Sequence, residues 1–167
     1  MSLCPWTVVS SSLPQKIRLF EYGTLEPGKE IKIMEGHTNG VTCVAVTQDG
    51  RHIVSGSKDH TVRIWQLASG KEIHQLEGHT RTVTSVAVTP DGHNIVSGSD
   101  DKTVRVWDLA SGREIKILEG HTNQVMSVAV THDGSHIVSG GDQNSSSMGH
   151  FRWKGDQEAG GPYSSCQ

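Results

Sequence analysis

The feature that most constrains this chain is an internal period of 42 residues. Gly36-His37, Gly78-His79 and Gly120-His121 recur at that interval, as do Asp49-Gly50, Asp91-Gly92 and Asp133-Gly134, and Trp65 and Trp107 keep it too. Residues 36–77 laid over residues 78–119 give 29 identities in 42 positions, which marks them as recent tandem copies. A unit this short cannot bury an apolar face alone, so the copies are expected to stack on one another.

Inside each unit, short strands alternate with turn signals at the spacing of all-β folds. In the second copy residues 83–88 are rich in β-branched side chains, Asp91-Gly92 is a tight turn and residues 94–97 form the next strand. Asp100-Asp101 turns again, residues 103–107 alternate apolar and polar, Ser111-Gly112 turns, and residues 114–118 close the unit. The expectation is four antiparallel strands per repeat.

The Gly-His start, the Ser-Gly-Ser-x-Asp-x-Thr-Val-Arg segment and the Trp near the end resemble the WD repeat, over roughly residues 28–140. The resemblance implies an all-β fold of four-stranded antiparallel β-propeller blades, here two complete blades with a partial blade on either side. It also implies that His37, Ser55, Asp59 and Trp65, and again His79, Ser97, Asp101 and Trp107, form a hydrogen-bonded network within each blade. The third copy supplies only His121 and Ser139. Ser, His and Asp are also the ingredients of a nucleophilic triad, but a catalytic site occurs once per fold and not once per blade. No catalytic residue, cofactor or metal is therefore expected. The ten histidines lie at the Gly-His positions or at turns and polar strand sites, and a 42-residue spacing builds no ligand cage on one element.

Propeller function is expected where the copies differ, on loops carried by rigid blades. By family analogy these are the loop after Gly-His and the residue before the network Asp, which here are Asn39, Arg81, Asn123, Lys58 and Asp100. The expected partners are other proteins or peptides. A net charge of −3 without a basic block gives no electrostatic footprint for nucleic acid or an acidic membrane. Residues 1–12 lack a basic start and a long apolar run, and no apolar stretch approaches the ~18 residues of a membrane span. Cys4, Cys43 and Cys166 form neither a disulfide framework nor a zinc site, so a cytoplasmic setting is the default, and Cys43, in the place of Ser85 and Ser127, is expected to be a small core residue.

The ends need a separate account. Residues 141–167 lose the pattern and, as written, look like a disordered Gly- and Ser-rich tail. Read from the second base of each codon, however, Met148-Gly149 forces a tryptophan triplet, Trp153-Lys154 forces glycine, and Lys154-Gly155, Gln157-Glu158 and Glu158-Ala159 each force Lys or Arg. The other junctions permit the end of a WD repeat running into a further Gly-His, so a net two-base loss near residues 141–143 accounts for the tail. In residues 1–27 the third-base frame gives Asp at Trp6-Thr7, Asp or Asn at Lys16-Ile17 and Trp or Arg at Tyr22-Gly23. The competing reading keeps the frame and treats residues 8–21 as a worn repeat with Phe20 in place of Trp. The reading divides the chain into residues 1–27 as a degenerate or out-of-frame repeat, 28–140 as WD repeats and 141–167 as an out-of-frame tail.

Known propellers close with about four to eight blades, so this chain is not expected to close as a ring alone, and its exposed edge strands are candidates for self-association. The functional expectation is a non-catalytic protein-interaction scaffold. Its alternatives are a sensor segment of a larger signalling protein and a non-functional fragment.

Overall fold

The computed structural model describes the backbone of residues 6–10, 16–21, 30–141 and 149–152, with side chains from residue 33 to residue 141. All regular structure in these residues is antiparallel strand. The first sheet is β1 (Trp6–Ser10), β2 (Lys16–Glu21) and β3 (Glu30–Glu35). The second is β4 (Val41–Val46), β5 (His52–Ser57), β6 (Val62–Gln66) and β7 (Glu72–Leu76). The third is β8 (Val83–Val88), β9 (Asn94–Ser99), β10 (Val104–Asp108) and β11 (Glu114–Leu118). The fourth is β12 (Val125–Val130), β13 (His136–Gly141) and β14 (Gly149–Arg152). The two complete four-stranded blades expected from the repeat are present, with an incomplete one on each side.

Each strand pair is joined as the turn residues dictate. Gly50, Gly92 and Gly134 sit at φ +66°, +73° and +67°, the left-handed region that glycine enters without steric cost. The Asp before each glycine accepts from the amide two residues on, Asp49 from Arg51 at 2.9 Å and Asp91 from His93 at 3.0 Å. The following strand runs two residues further than its β-branched core suggested, to Ser57 and Ser99. Their hydroxyls donate to the loop backbones of Asn39 and Gly40 and of Arg81.

Apolar side chains on both faces of the second and third sheets are buried against the neighbouring sheets. Met34 packs with Ile53 and Trp65 between the first and second sheets. Val54, Val62, Ile64 and Leu76 meet Val83, Val86, Ile95 and Trp107 between the second and third. Val96, Val104, Val106 and Leu118 meet Val125, Val128 and Ile137 between the third and fourth. The sheets stack in chain order, with β4 beside β8 and β8 beside β12, and do not close into a ring.

Two glycines make these joints tight. A Cβ on Gly56 would lie 2.6 Å from Val83 Cγ1 and 2.7 Å from Cys43 Sγ, and one on Gly98 would lie 2.7 Å from Val125 Cγ1 and 2.8 Å from Val128 Cγ1. The first strand of each full sheet also bulges, between Val41 and Cys43 and between Val83 and Ser85. The extra residue, Thr42 or Thr84, bonds across the joint: Thr42 Oγ1 donates to Val83 O, and Thr84 Oγ1 donates to Val125 O at 2.5 Å. Cys43 is a half-buried free thiol at this joint, and burial pushes it up to about 11, as befits a small core residue.

The two incomplete sheets lack opposite strands among the described residues. In the first, Phe20 pairs with Glu30 after a bulge at Leu19/Phe20, the register that Trp65 holds against Glu72 after a bulge at Ile64/Trp65. Phe20 thus occupies the register position of the Trp, and β1, β2 and β3 correspond to β5, β6 and β7. In the fourth sheet Phe151 pairs with Ile137 as Trp107 pairs with Ile95, so its strands correspond to β8, β9 and β10. The remainder of the expected tail, residues 142–148 and 153–167, lies outside the described residues, as do residues 1–5, 11–15 and 22–29.

Candidate functional site

The four repeated side chains come together twice, in nearly identical geometry. Trp65 Nε1 donates to Ser55 Oγ at 2.8 Å, Ser55 Oγ lies 2.8 Å from His37 Nε2, and His37 Nδ1 lies 2.8 Å from Asp59 Oδ2. In the next sheet Trp107, Ser97, His79 and Asp101 repeat all three distances. The chemistry of the groups fixes the protons. An indole N–H can only donate, so the Ser hydroxyl must give its own proton to His Nε2, which leaves Nδ1–H to donate to the carboxylate. One neutral imidazole tautomer satisfies every partner.

Burial and charge agree with that assignment. Burial holds the His37 imidazole below its ordinary value against the opposing pull of Asp59. Asp59 is itself raised by burial, but hydrogen bonds from Thr61 and His37 outweigh this and hold it at about 2. Asp101 is held well below the usual carboxylate range in the same way, by His79 and Thr103 against burial. Each carboxylate also clamps a turn. Asp59 accepts from the amides of Thr38 at 2.9 Å and Thr61 at 3.0 Å and from Thr61 Oγ1 at 2.7 Å. The turn so held carries a non-glycine residue in the left-handed region, His60 at φ 71° and Lys102 at φ 72°.

This arrangement has the connectivity of a nucleophilic triad and none of its access. Ser55 and Ser97 are 0% exposed, and the side of each hydroxyl where a substrate would approach is taken by an indole N–H. In the fourth sheet His121 Nε2 lies 2.7 Å from Ser139 Oγ, and the register position of the Trp falls to Phe151, whose side chain has no N–H to give.

Two recurring parts of the network escaped the sequence reading. The first is Thr61 and Thr103, which complete the shell around the Asp. The second is an ion pair from the third strand to the fourth, Arg63 Nη1 to Glu72 Oε2 and Arg105 Nη1 to Glu114 Oε2. It explains the glycine of Gly-His: a Cβ on Gly36 would lie 2.7 Å from Arg63 Nη1, and one on Gly78 would lie 2.6 Å from Arg105 Nη1. All these residues keep the 42-residue interval, so the repeat carried the signal. His74, on β7, packs on Gly112 of the next sheet and lies 3.0 Å from Ala110 O.

The loop candidates are brought together in pairs. Lys58 N donates to Gly40 O at 2.9 Å, which sets Lys58 beside Asn39, and Asp100 N donates to Thr82 O at 3.0 Å, which sets Asp100 beside Arg81. Asn39, Lys58, Arg81 and Asn123 are exposed and Asp100 is half-buried. The same scaffold therefore displays an amide and a cation on one sheet, and a cation and an anion on the next. Among the described residues no group of three or more His, Cys, Asp or Glu side chains could hold a metal ion, and no helix is long and apolar enough to cross a membrane.

Comparison with known proteins agrees with this geometry. The family model described as WD domain, G-beta repeat matches residues 28–66, 70–108 and 112–145. WD repeat-containing protein 18 of Homo sapiens is 50% identical over 38 residues, 23% of this chain and 9% of that protein. The small ribosomal subunit protein RACK1 of Dictyostelium discoideum is 32% identical over 66 residues, 38% of this chain and 20% of that protein. The target of rapamycin complex subunit LST8 of Saccharomyces cerevisiae is 36% identical over 55 residues, 33% of this chain and 18% of that protein. The chain thus spans no more than a fifth of the length of these three relatives.

Proposed function

The chain belongs to the WD domain, G-beta repeat family, and we propose that it is a non-catalytic scaffold that binds other proteins or peptides through its variable loop pairs. The observation that carries this reading is the sealing of the network Ser, His and Asp inside the two complete sheets while variation between copies is displayed on exposed loops. Asn39 with Lys58, Arg81 with Asp100, and Asn123 are the positions assigned to the partner. The names of RACK1 and LST8 place both relatives within larger assemblies, which supports the scaffold reading. The short match to much longer relatives supports the second reading, that this array is one segment of a larger signalling protein. The free thiol at Cys43 supports a cytoplasmic setting.

The test is selection of binders from a displayed peptide library by the full chain, followed by charge reversal. Lys58→Glu combined with Arg81→Glu is expected to weaken the selected peptides about tenfold. Exposed substitutions of this kind shift stability by no more than about 0.5 kcal/mol, so the melting temperature should hold. Unchanged affinity in the double variant would remove these loops from the binding surface, and a chain without a cooperative melt would favour the non-functional fragment.

A further inference from the structure

On the reading that the variable loops bind the partner, on which this step depends, we propose that the partner is an acidic peptide, held extended with one carboxylate at Lys58 and His60 and the next, about three residues on, at Arg81 and Lys102. The fold brings these four side chains to one end of the stacked sheets. Thr42 Oγ1 donates to Val83 O and Thr84 Oγ1 donates to Val125 O, so β4, β8 and β12 begin side by side. The loops that lead into these strands and the turns at residues 58–61 and 100–103 therefore lie at the same end. Within the third sheet, Thr80 N donates to Asp101 Oδ2 at 3.1 Å and Asp100 N donates to Thr82 O at 3.0 Å, which sets Arg81 beside the turn that carries Lys102. Stacked sheets lie about 10 Å apart, a span that an extended chain covers in about three residues.

Charge at this end is unbalanced in favour of cations. Lys58, His60, Arg81 and Lys102 are all exposed, and among the described residues no ion pair engages any of the four. The carboxylates of the turns are taken up by the sheets themselves. Asp59 and Asp101 each accept from four donors, which leaves the half-buried Asp100 as the anion beside the cations. Glu35, Glu77 and Glu119 stand at or just after the last strand of a sheet, at the edge away from β4 and β8. At the opposite end the exposed Asp49, Asp91 and Asp133 offset the exposed Arg51, Lys71 and Arg113, so no such excess arises there. His60 and Lys102 also stand in the left-handed region, at φ 71° and 72°. Glycine enters that region without steric cost, yet both copies keep a basic side chain there, and strain of this kind gathers at ligand clamps. A single phosphate would meet the cations of only one sheet, whereas carboxylates repeated along a strand meet those of both. A net charge of −3 over the chain disfavours a long polyanion such as nucleic acid, which reaches beyond the loops.

Fluorescence anisotropy of the full chain tests this with a labelled peptide that carries glutamate at every third position among glycine and serine, set against the same peptide with glutamine. The glutamate peptide should bind about tenfold more tightly or better, and should weaken as salt is raised. Lys58→Gln combined with Lys102→Gln should weaken it about tenfold without moving the melt, because both side chains are exposed, and Lys102→Arg should leave it unchanged. If the double variant lowers the melt, Arg81→Gln, outside the strained turns, decides the question. Equal binding of the two peptides overturns the acidic partner, yet leaves the loop surface standing if peptides selected from the library still respond to Lys58→Glu with Arg81→Glu. Glutamate binding that ignores the loop variants also overturns the proposal. Tighter binding of a peptide with a single phosphoserine, or of oligothymidylate, overturns it in favour of a phosphorylated or a nucleic-acid partner.

Discussion

Trp107→Ala is expected to destabilise the chain by about 3–5 kcal/mol, read as a lowered midpoint of urea unfolding. Trp107 is 2% exposed and does two jobs at once. Its ring belongs to the cluster of Val54, Ile64, Val83 and Ile95, so it joins the second sheet to the third. Its Nε1–H caps Ser97, and its ring meets His79 edge to face at 6.2 Å. Truncation opens a cavity at the sheet joint and leaves a buried hydroxyl one partner short. Trp107→Phe separates the two contributions, since it keeps most of the ring and removes only the donor, at a cost of about 1 kcal/mol. Single domains are stable by only about 5–15 kcal/mol, so the alanine variant is expected to sit near its unfolding threshold at room temperature.

Asp101→Ala is expected to cost about 3 kcal/mol and to flatten the acid limb of the stability curve. The carboxylate accepts from His79 Nδ1 at 2.8 Å, from the amides of Thr80 at 3.1 Å and Thr103 at 2.9 Å, and from Thr103 Oγ1 at 2.6 Å, and its removal strands all four donors. Asp59 and Asp101 are both depressed in the fold. Their contribution is complete above the unfolded carboxylate value of about 4 and is lost as the pH falls through the folded value, about 2 for Asp59. The depressed His37 acts earlier and in the same direction. Below about 6.5 the unfolded chain takes up a proton that the buried imidazole refuses, so stability declines as the pH falls from there. Urea midpoints from about pH 8 down to about pH 3 should therefore fall in two stages in the wild type. The second stage should be shallower in Asp101→Ala, and a variant as steep as the wild type below about pH 4 would refute the assignment.

What the sequence made legible was whatever a single repeat contains. Strand order, the Asp-Gly turns and the His, Ser, Asp and Trp set all lie within 42 residues and recur in register, so one unit checks the other. Contacts between units were less legible, because periodicity says that copies stack but not which atoms meet. Nothing in the repeat says that Gly56 and Gly98 meet Val83 and Val125, or that the bulge turns Thr42 and Thr84 into donors across the joint. Arg63 and Glu72 were visible as repeated residues, yet nine positions apart on neighbouring strands their pairing depends on a register that the bulge at Trp65 shifts. The ends were hardest. Phe20 was one of two sequence candidates for the Trp position and strand register places it there, whereas the position of Phe151 follows from register alone.

The repeated His, Ser, Asp and Trp form a closed structural unit inside each of the two complete sheets. Hydrogen exchange at the indole N–H groups of Trp65 and Trp107, assigned by NMR with the two Trp→Phe variants, tests it most directly. Both protons are buried donors to a buried serine, so both should exchange several orders of magnitude more slowly than free indole, and only through opening of their sheets. Exchange of either proton at the rate of an exposed indole would contradict the account.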